Sequence, residues 1–424
     1  MGIEDKAKEL MGLIKKQDSI VIIAHGDADG VAGAAIAKDS LDEMAIDYEI
    51  RFVNNLNEKV ISQYRGNFIL FVDVGNGCIE SIAGMNIDCV IVDHHFSTLK
   101  FKNSLNPFHF GIDGEREISA SGLMHLIARN IKGNADIAII GAIGDLQDID
   151  GQLIGINRHI LKESSIEIKR DIRIYGRSMP LYRMLSFSHL IPPFFRNFGM
   201  VKNFLKSMDI DGNKSWNELD KEEKRRLFSS IVKMLLKRGY DENVIRLLYG
   251  EVYEKNGVDL REIASVINSM AKYGEYEMAM DICLNGNYER AKRFLEMHRK
   301  NIRNGLKIAR EFLNEGGVAK YFHVGNKIRD TILGTITGML LESEGIEKPL
   351  LGFAESQEGI KISARAPKNM NINLSLAIQK AARKAGGYGG GHRAAAGAII
   401  PRGYEEEFLR FFEMELANQS SSSL

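Results

Sequence analysis

At 424 residues the chain is too long for one ordinary core, so two or three domains are expected. Apolar residues make up 44% and charged residues 26%, the balance of a soluble globular protein, and no apolar run is long enough to span a bilayer. Lys+Arg and Asp+Glu are equal at 56 each, which excludes a chain-wide polyanion-binding charge and leaves any basic surface local.

The start, MGIEDKAKEL, is charged and helical in texture, unlike a signal peptide. Cys78, Cys89 and Cys283 show no C-x-x-C spacing and read as buried free thiols of a reducing compartment. A cytoplasmic protein is expected.

Residues 1 to about 165 alternate between β-rich runs (19–24, 48–53, 68–74, 88–92, 136–143) and stretches with helical spacing, such as Val31 to Met44 and Ala120 to Asn130. Strand–helix alternation predicts a mostly parallel sheet covered on both faces, with ligands beyond the carboxyl ends of its strands. Asp and His collect at those ends, in VIIAHGDADG (21–30), ILFVDVG (69–75), VIVDHH (90–95) and IAIIGAIGDLQD (137–148). Any one such Asp reads as a helix N-cap or a turn residue. Four deliveries together, almost without Lys or Arg among them, make a cluster that repels itself unless cations neutralise it.

In HGDADG, His25, Asp27 and Asp29 alternate, so an extended segment would put them on one side. Asp73 leaves its strand before Gly75. Asp93, His94 and His95 end another strand, where neighbours cannot all face the same way. One His can then take metal while the other faces substrate or supports the site. Asp145 follows Gly141 and Gly144 at the fourth expected strand end. Carboxylates with imidazole and no thiolate suit Mn²⁺, or Mg²⁺ with some loss. Six or so ligands fit two ions sharing a bridging Asp. Two such ions, roughly 3.5–4 Å apart, activate a water and hold the leaving oxygen of a phosphoryl displacement.

From about 166 to 312 the texture is helical. LDKEEKRRLFSSIVKMLLKRGY (219–240) puts Leu227, Ile231, Met234 and Leu235 on one stripe behind an Asp220 N-cap. Asn287 to Asn314 carries Arg290, Lys292, Arg293, Arg299, Lys300, Arg303, Lys307 and Arg310, a solvated face or a phosphate-tracking one. Trp216 and SHLIPPFF (188–195) read as packing and turn features. A third texture begins near Gly316, with strands at 319–324, 349–354 and 359–364 and a helix through Ser375–Arg383. In GGYGGGHRAAAGAII (386–400), residues without Cβ let backbone N–H groups approach a phosphate, and the Ala-rich part is expected to be a helix offering its N-terminus. A helix near 403–416 and a disordered end, NQSSSSL, follow. The expected organisation is an α/β protein: a parallel-sheet metal domain over 1–165, a mainly helical insert over 166–312, a smaller α/β domain over 313–416, and a disordered tail over 417–424.

AHGDADG, FVDVG, VDHH and GAIGD resemble the four motifs of the DHH phosphoesterases, and GGGHRAAAGA resembles the signature of their associated C-terminal domain. The resemblance covers nearly the whole chain and is strongest to the archaeal RecJ-like nucleases, including the type that associates with the GINS replication complex. It implies one Mn²⁺ on His25, Asp27 and a bridging Asp73, and a second on Asp29, Asp73, His94 and Asp145. His95 would face the scissile phosphate and Asp93 would orient a histidine. Substrate contacts are implied for Asn268, Ser363, Arg365, Gly390, Gly391, His392 and Arg393. Two departures stand out. Ala271 and Lys272 occupy positions where the archaeal family has Gly-Arg, and Lys is a point charge where Arg would fork. His109, in NPFHF, matches only loosely. The implied function is an exonuclease of single-stranded DNA, 5′→3′, in replication or repair. The alternatives are a 3′→5′ or RNA-directed enzyme, an oligoribonucleotide or cyclic-dinucleotide phosphodiesterase, and a GINS-binding scaffold without catalysis, as the eukaryotic helicase relative has become.

Overall fold

Strands that are apolar at every position must be buried on both faces, and the computed structural model has that layering. It describes residues 2–186, 198–237, 239–367, 370, 372–391 and 393–421, which fall into two compact units, Met1–Lys292 and Arg293–Leu424.

In the first unit α1 (Ile3–Ile14) leads into β1 (Ser19–His25), α2 (Ala28–Glu43), β2 (Asp47–Val53), α3 (Glu58–Ser62), β3 (Ile69–Val72), α4 (Ile79–Gly84), β4 (Cys89–Val92) and β5 (Ser104–Leu105). The strands are parallel in the order β2-β1-β3-β4-β5. The chain leaves β1 toward β2 on one side and returns to β3 on the other. The topological switch point therefore lies at the carboxyl ends of β1 and β3. Val21, Ile23, Ile69, Phe71, Cys89 and Ile91 fill one face of the sheet. On the other face α2 packs so closely that a Cβ on Gly33 would stand 2.5 Å from Val72 Cγ1.

One expectation for this unit is corrected and another gains a detail. Residues 136–143 are not a strand; they belong to α6 (Ala135–Gly144), which follows α5 (Ala120–Lys132). Eight of the ten residues of ADIAIIGAIG are buried, so the run is apolar on every side and shows no period that separates helix from strand. Asn134 caps it, accepting from Ile137 N at 3.3 Å. Beyond α7 (Gly155–Glu163), the stretch expected to be mainly helical also holds a small antiparallel sheet of β6 (Glu167–Ile172), β7 (Tyr249–Lys255) and β8 (Val258–Asp259). Against it pack Leu227, Ile231 and Leu235 of the helix Lys221–Lys237, whose Glu223 N donates to the Asp220 cap at 2.8 Å. Trp216 is a packing residue, buried with its indole N–H on Asp171 Oδ1 at 2.8 Å. The SHLIPPFF segment lies outside the described residues.

The second unit is a mixed sheet ordered β13-β14-β12-β11-β10-β9, built from β9 (Leu313–Glu315), β10 (Lys320–His323), β11 (Leu350–Ser356), β12 (Gly359–Arg365), β13 (Tyr388–Gly391) and β14 (Ala395–Ile400). The Ala-rich segment expected to be a helix is thus β14. Its burial alternates, with Ala396, Ala398 and Ile400 inward, which is the period of a strand. Small residues are required because the helix Leu374–Lys384 presses on the hairpin: a Cβ on Gly389 would stand 2.7 Å from Ala398 Cβ and 2.9 Å from Ile378 Cγ2. The helix Glu405–Ser421 continues into the segment expected to be disordered, and Gln419 exchanges hydrogen bonds with the Asn373 backbone at 2.7 and 3.1 Å. Among the described residues no helix is long and apolar enough to cross a membrane.

Candidate metal centre

The register of β1, β3 and β4 aligns Ala24 with Val72 and Val72 with Val92, so His25, Asp73 and Asp93 emerge along one sheet edge. Asp73 adopts the left-handed backbone, φ 60°, which is uncommon for a residue with a Cβ, and its carboxylate is buried. Asp27 caps α2 by accepting from Gly30 N at 3.0 Å. The helix starts at Ala28, so the extended path expected through Asp29 stops at Asp27. The two carboxylates therefore part, one toward His25 and the other toward His94.

His25 Nδ1 lies 2.9 Å from Asp27 Oδ2 and 3.2 Å from Asp73 Oδ2. The other oxygen, Asp73 Oδ1, is 3.3 Å from His94 Nε2, and the same nitrogen has Asp145 Oδ2 at 3.6 Å and Asp29 Oδ2 at 4.0 Å. One carboxylate thus faces two clusters. Among the described residues Asp73 Oδ1 is buried without a hydrogen-bond partner, a costly position for an anionic oxygen unless a cation meets it. The electrostatics agree. Burial, then Asp73, pushes Asp29 up to about 6, and burial, then Asp29, pushes Asp145 up to about 7. Burial opposes a charge on His25, yet Asp27 and Asp73 raise it to about 11. His94 is likewise raised, by Asp73 above all, against its burial. This surplus of negative charge favours protons on His25, His94, Asp29 and Asp145, while Asp27, paired with His25, is held down at about 2 against its burial. Divalent cations would answer the same need with more charge, and the oxygen and imidazole donors fit a pair of them.

The two adjacent histidines are in different settings. His94 is buried and its Nδ1 donates to Gly114 O at 2.7 Å, which leaves Nε2 for the carboxylates. The His95 side chain is 59% exposed. Asp93 orients it, accepting from His95 N at 3.1 Å and Nδ1 at 2.8 Å while its second oxygen accepts from Asn76 N at 2.9 Å. His95 Nδ1 also comes within 3.7 Å of Asp73 Oδ1, so Asp73, His94 and His95 form one possible ligand group and His25, Asp27 and Asp73 another. The Asp93 bond occupies His95 Nδ1, and Nε2 has no hydrogen-bond partner among the described residues.

Several supporting residues have no motif to announce them. Asp29 sits on the N-terminus of α5, accepting from Ala120 N at 2.7 Å and from Ser121 N and Oγ at 3.1 and 2.5 Å. Gly141 permits this, since a Cβ there would stand 2.1 Å from Ser121 Oγ and 2.4 Å from Asp29 Oδ1. Gln147, also buried, donates to Asp145 Oδ2 at 3.1 Å and to Gly114 O at 2.8 Å, and Asn157 Nδ2 donates to its Oε1 at 2.6 Å. One amide therefore holds Asp145 and the carbonyl that aims His94. Gln147→Ala is expected to weaken Mn²⁺ binding about 10–100-fold, measured by titration calorimetry. Wild-type affinity in that variant would rule out the positioning role. Position 147 offers a faint sequence signal: a polar residue two places after Asp145.

The segment after β6 braces the same loops. Asp148 is buried between Arg173 Nη2 at 3.0 Å and Arg261 Nη2 at 2.5 Å. Asn268, expected to touch substrate, has its side-chain oxygen on Ala28 N at 2.8 Å, between Asp27 and Asp29. His109 Nε2 is buried.

In the second unit Arg365 Nη1 donates to Ser363 Oγ at 3.3 Å and to Ala364 O at 2.9 Å. It has no carboxylate partner among the described residues, and burial alone pushes its pKa down. Ser363 aligns with Gly397 and Gly397 with Gly390, one row across β12, β14 and β13. Gly391 ends β13, and Arg393, in the turn, is exposed with Nε on Ile372 O at 3.1 Å. His392 lies outside the described residues.

Residues 19–144 match the DHH family, N-terminal domain, and residues 314–418 match the DHHA1 domain. The protein MJ0831 of Methanocaldococcus jannaschii is 30% identical over 417 residues, 92% of this chain and 91% of that protein. The crystal structure of exonuclease RecJ bound to manganese is similar at a TM-score of 0.59 and 17% identity, over 99% of this chain and 94% of that one. CDC45 from Entamoeba histolytica is similar at 0.70 and 14% identity, over 98% and 99%. At such identities these two structures speak for the fold. With both of its sheet domains matched in their expected order, the chain belongs to the DHH family and has the RecJ-like architecture.

Proposed function

We propose that this protein is a two-metal phosphodiesterase that removes nucleotides from an end of single-stranded DNA, working 5′→3′ with Mn²⁺ or Mg²⁺. The observation that carries the reading is Asp73, whose two oxygens separately face His25–Asp27 and His94–Asp29–Asp145. His25, Asp27 and Asp73 would hold one ion; Asp29, Asp73, His94 and Asp145 would hold the other. When bound, the pair supplies positive charge for the reacting phosphate and lowers the pKa of a water. Asp93 fixes the His95 ring, whose Nε2 can donate to a phosphate oxygen. In the second unit, the Arg365 guanidinium, which has no carboxylate partner among the described residues, and the row Ser363–Gly397–Gly390 suit a sugar–phosphate backbone, as does Arg393.

A replication role adds the GINS complex as a partner, tested by co-elution. A scaffold without catalysis draws support from the CDC45-like fold. Against it, Asp27, Asp29, Asp73, His94 and Asp145 are all present and assembled. The deciding experiment is a time course with DNA and RNA strands labelled at one end, with Mn²⁺ added. Mononucleotide release from the 5′ end of DNA alone is the expected result. Release from the 3′ end, or from RNA in preference, would replace polarity or substrate. Inertness toward every strand would leave the scaffold.

A further inference from the structure

Two large apolar side chains stand in solvent beside the charged cluster. Phe96 directly follows His95 and is 68% exposed; Leu146 directly follows Asp145 and is 62% exposed. Both are placed by defined contacts. The Phe96 ring makes a T-shaped contact with Phe108, centroids 5.3 Å apart at 82°. Phe108 is fixed by Asn106, a fully buried residue whose Oδ1 accepts from Phe108 N at 3.0 Å and whose Nδ2 donates to His95 O at 2.9 Å. One amide thus ties the aromatic pair to the backbone of the histidine. Leu146 is the left-handed residue, φ 59°, that closes α6, with Leu146 N on Ile143 O at 3.1 Å and Gln147 N on Ala142 O at 3.0 Å. Gly or Asn usually takes that place, because a bulky side chain strains it. Here the strained position carries an exposed leucine. Lys100 and Lys102, on the loop that follows Phe96, are exposed as well.

We infer that Phe96, with Leu146, forms a stacking rim for the nucleobase next to the scissile phosphate. The inference rests on the phosphodiesterase reading above and extends it to how the strand is seated. Asp145 Oδ2 and His94 Nε2 are 3.6 Å apart, so the residues that follow Asp145 and His95 border one small site. A phosphate at the cluster brings its flanking base to that border. Every base presents a flat π-face, so such a rim accepts any sequence, as an exonuclease requires. The lysines add backbone attraction without reading bases.

The test uses the full chain with Mn²⁺ and two labelled strands, an ordinary oligodeoxynucleotide and one that is abasic at its terminal nucleotides. On the ordinary strand Phe96→Ala should raise KM about tenfold with little change in kcat, and Leu146→Ala should raise it about threefold. Phe96→Trp should restore the wild-type KM. On the abasic strand wild type and Phe96→Ala should have the same KM. Equal losses on both strands, or no loss on the ordinary strand, would overturn the rim while leaving the hydrolase reading intact. A wild type that degrades neither strand would overturn both.

Discussion

Asp73→Asn is expected to lower turnover by roughly a thousandfold or more, equivalent to about 4 kcal/mol of barrier, and at the same time to stabilise the metal-free protein. The first effect follows from the shared carboxylate. One oxygen serves the His25–Asp27 side and the other the His94 side, and an amide cannot present an anionic oxygen to both. The second follows from crowding. Asp27, Asp29, Asp73 and Asp145 meet around His25 and His94, and two of them are already raised toward neutrality by burial and by one another. Removing the central charge relieves that repulsion, while His25 keeps Asp27 as its partner at 2.9 Å and His94, which loses its nearest carboxylate charge, keeps Asp145 at 3.6 Å and Asp29 at 4.0 Å. If about 1 kcal/mol is relieved, the metal-free Tm should rise by about 3 °C. Saturating Mn²⁺, at about 100 times its Kd, should add about 2.7 kcal/mol to wild type and far less to the variant. Calorimetric scans with and without Mn²⁺, beside a turnover assay, read all three quantities. Near-normal turnover would end the bridging role. A lower metal-free Tm would mean that Asp73 serves chiefly as a structural hydrogen-bond acceptor.

The sheet and the cluster are legible in the sequence for one reason: β1, β3 and β4 are short runs buried on both faces, and each ends at once in Asp or His. Parallel topology then brings those ends together, so Asp73 and Asp93 can be placed without coordinates. Asp145 reaches the same place by another route, the C-terminus of α6, and a short helix with eight of its ten residues buried looks the same as a strand in sequence. The Ala395–Ile400 segment misleads in the opposite sense. Its alanines suggest a helix by propensity, but the close approach of the helix Leu374–Lys384 demands small residues in a strand. The roles of Gln147 and Asp148 are hidden for a third reason, beyond the faint signal of their polar positions after Asp145. Their significance lies in partners such as Asn157, Arg173 and Arg261, and Arg261 is 113 residues from Asp148 in sequence. No local pattern reports a contact of that span.

That long-range contact leads to the second large effect. Asp148→Asn should cost about 3–5 kcal/mol, because it leaves two guanidinium groups facing each other in the interior. Asp148 is 1% exposed, and both Arg173 Nη2 and Arg261 Nη2 point at its Oδ2. Arg173 is also 4% exposed; burial and then Arg261 already work against its charge. A Tm loss of roughly 10 °C is expected. Exposed pairs provide the contrast: Glu222 and Arg225, whose side chains are 66% and 75% exposed, should tolerate Glu222→Gln with no measurable shift. The effect should extend to the metal site, since Asp145 and Gln147 lie on the same turn as Asp148 and Gln147 bonds to Asp145. Below the variant's Tm, Mn²⁺ affinity should therefore fall more than the folded fraction does. A double-mutant cycle with Arg261→Met separates the two consequences. Removing one of the two crowded cations should recover part of the lost stability, but not the affinity that depends on where the turn places Asp145. Full recovery of both would make the pair a stability device with no hold on the site, and additive losses would mean that Asp148 and Arg261 are not coupled.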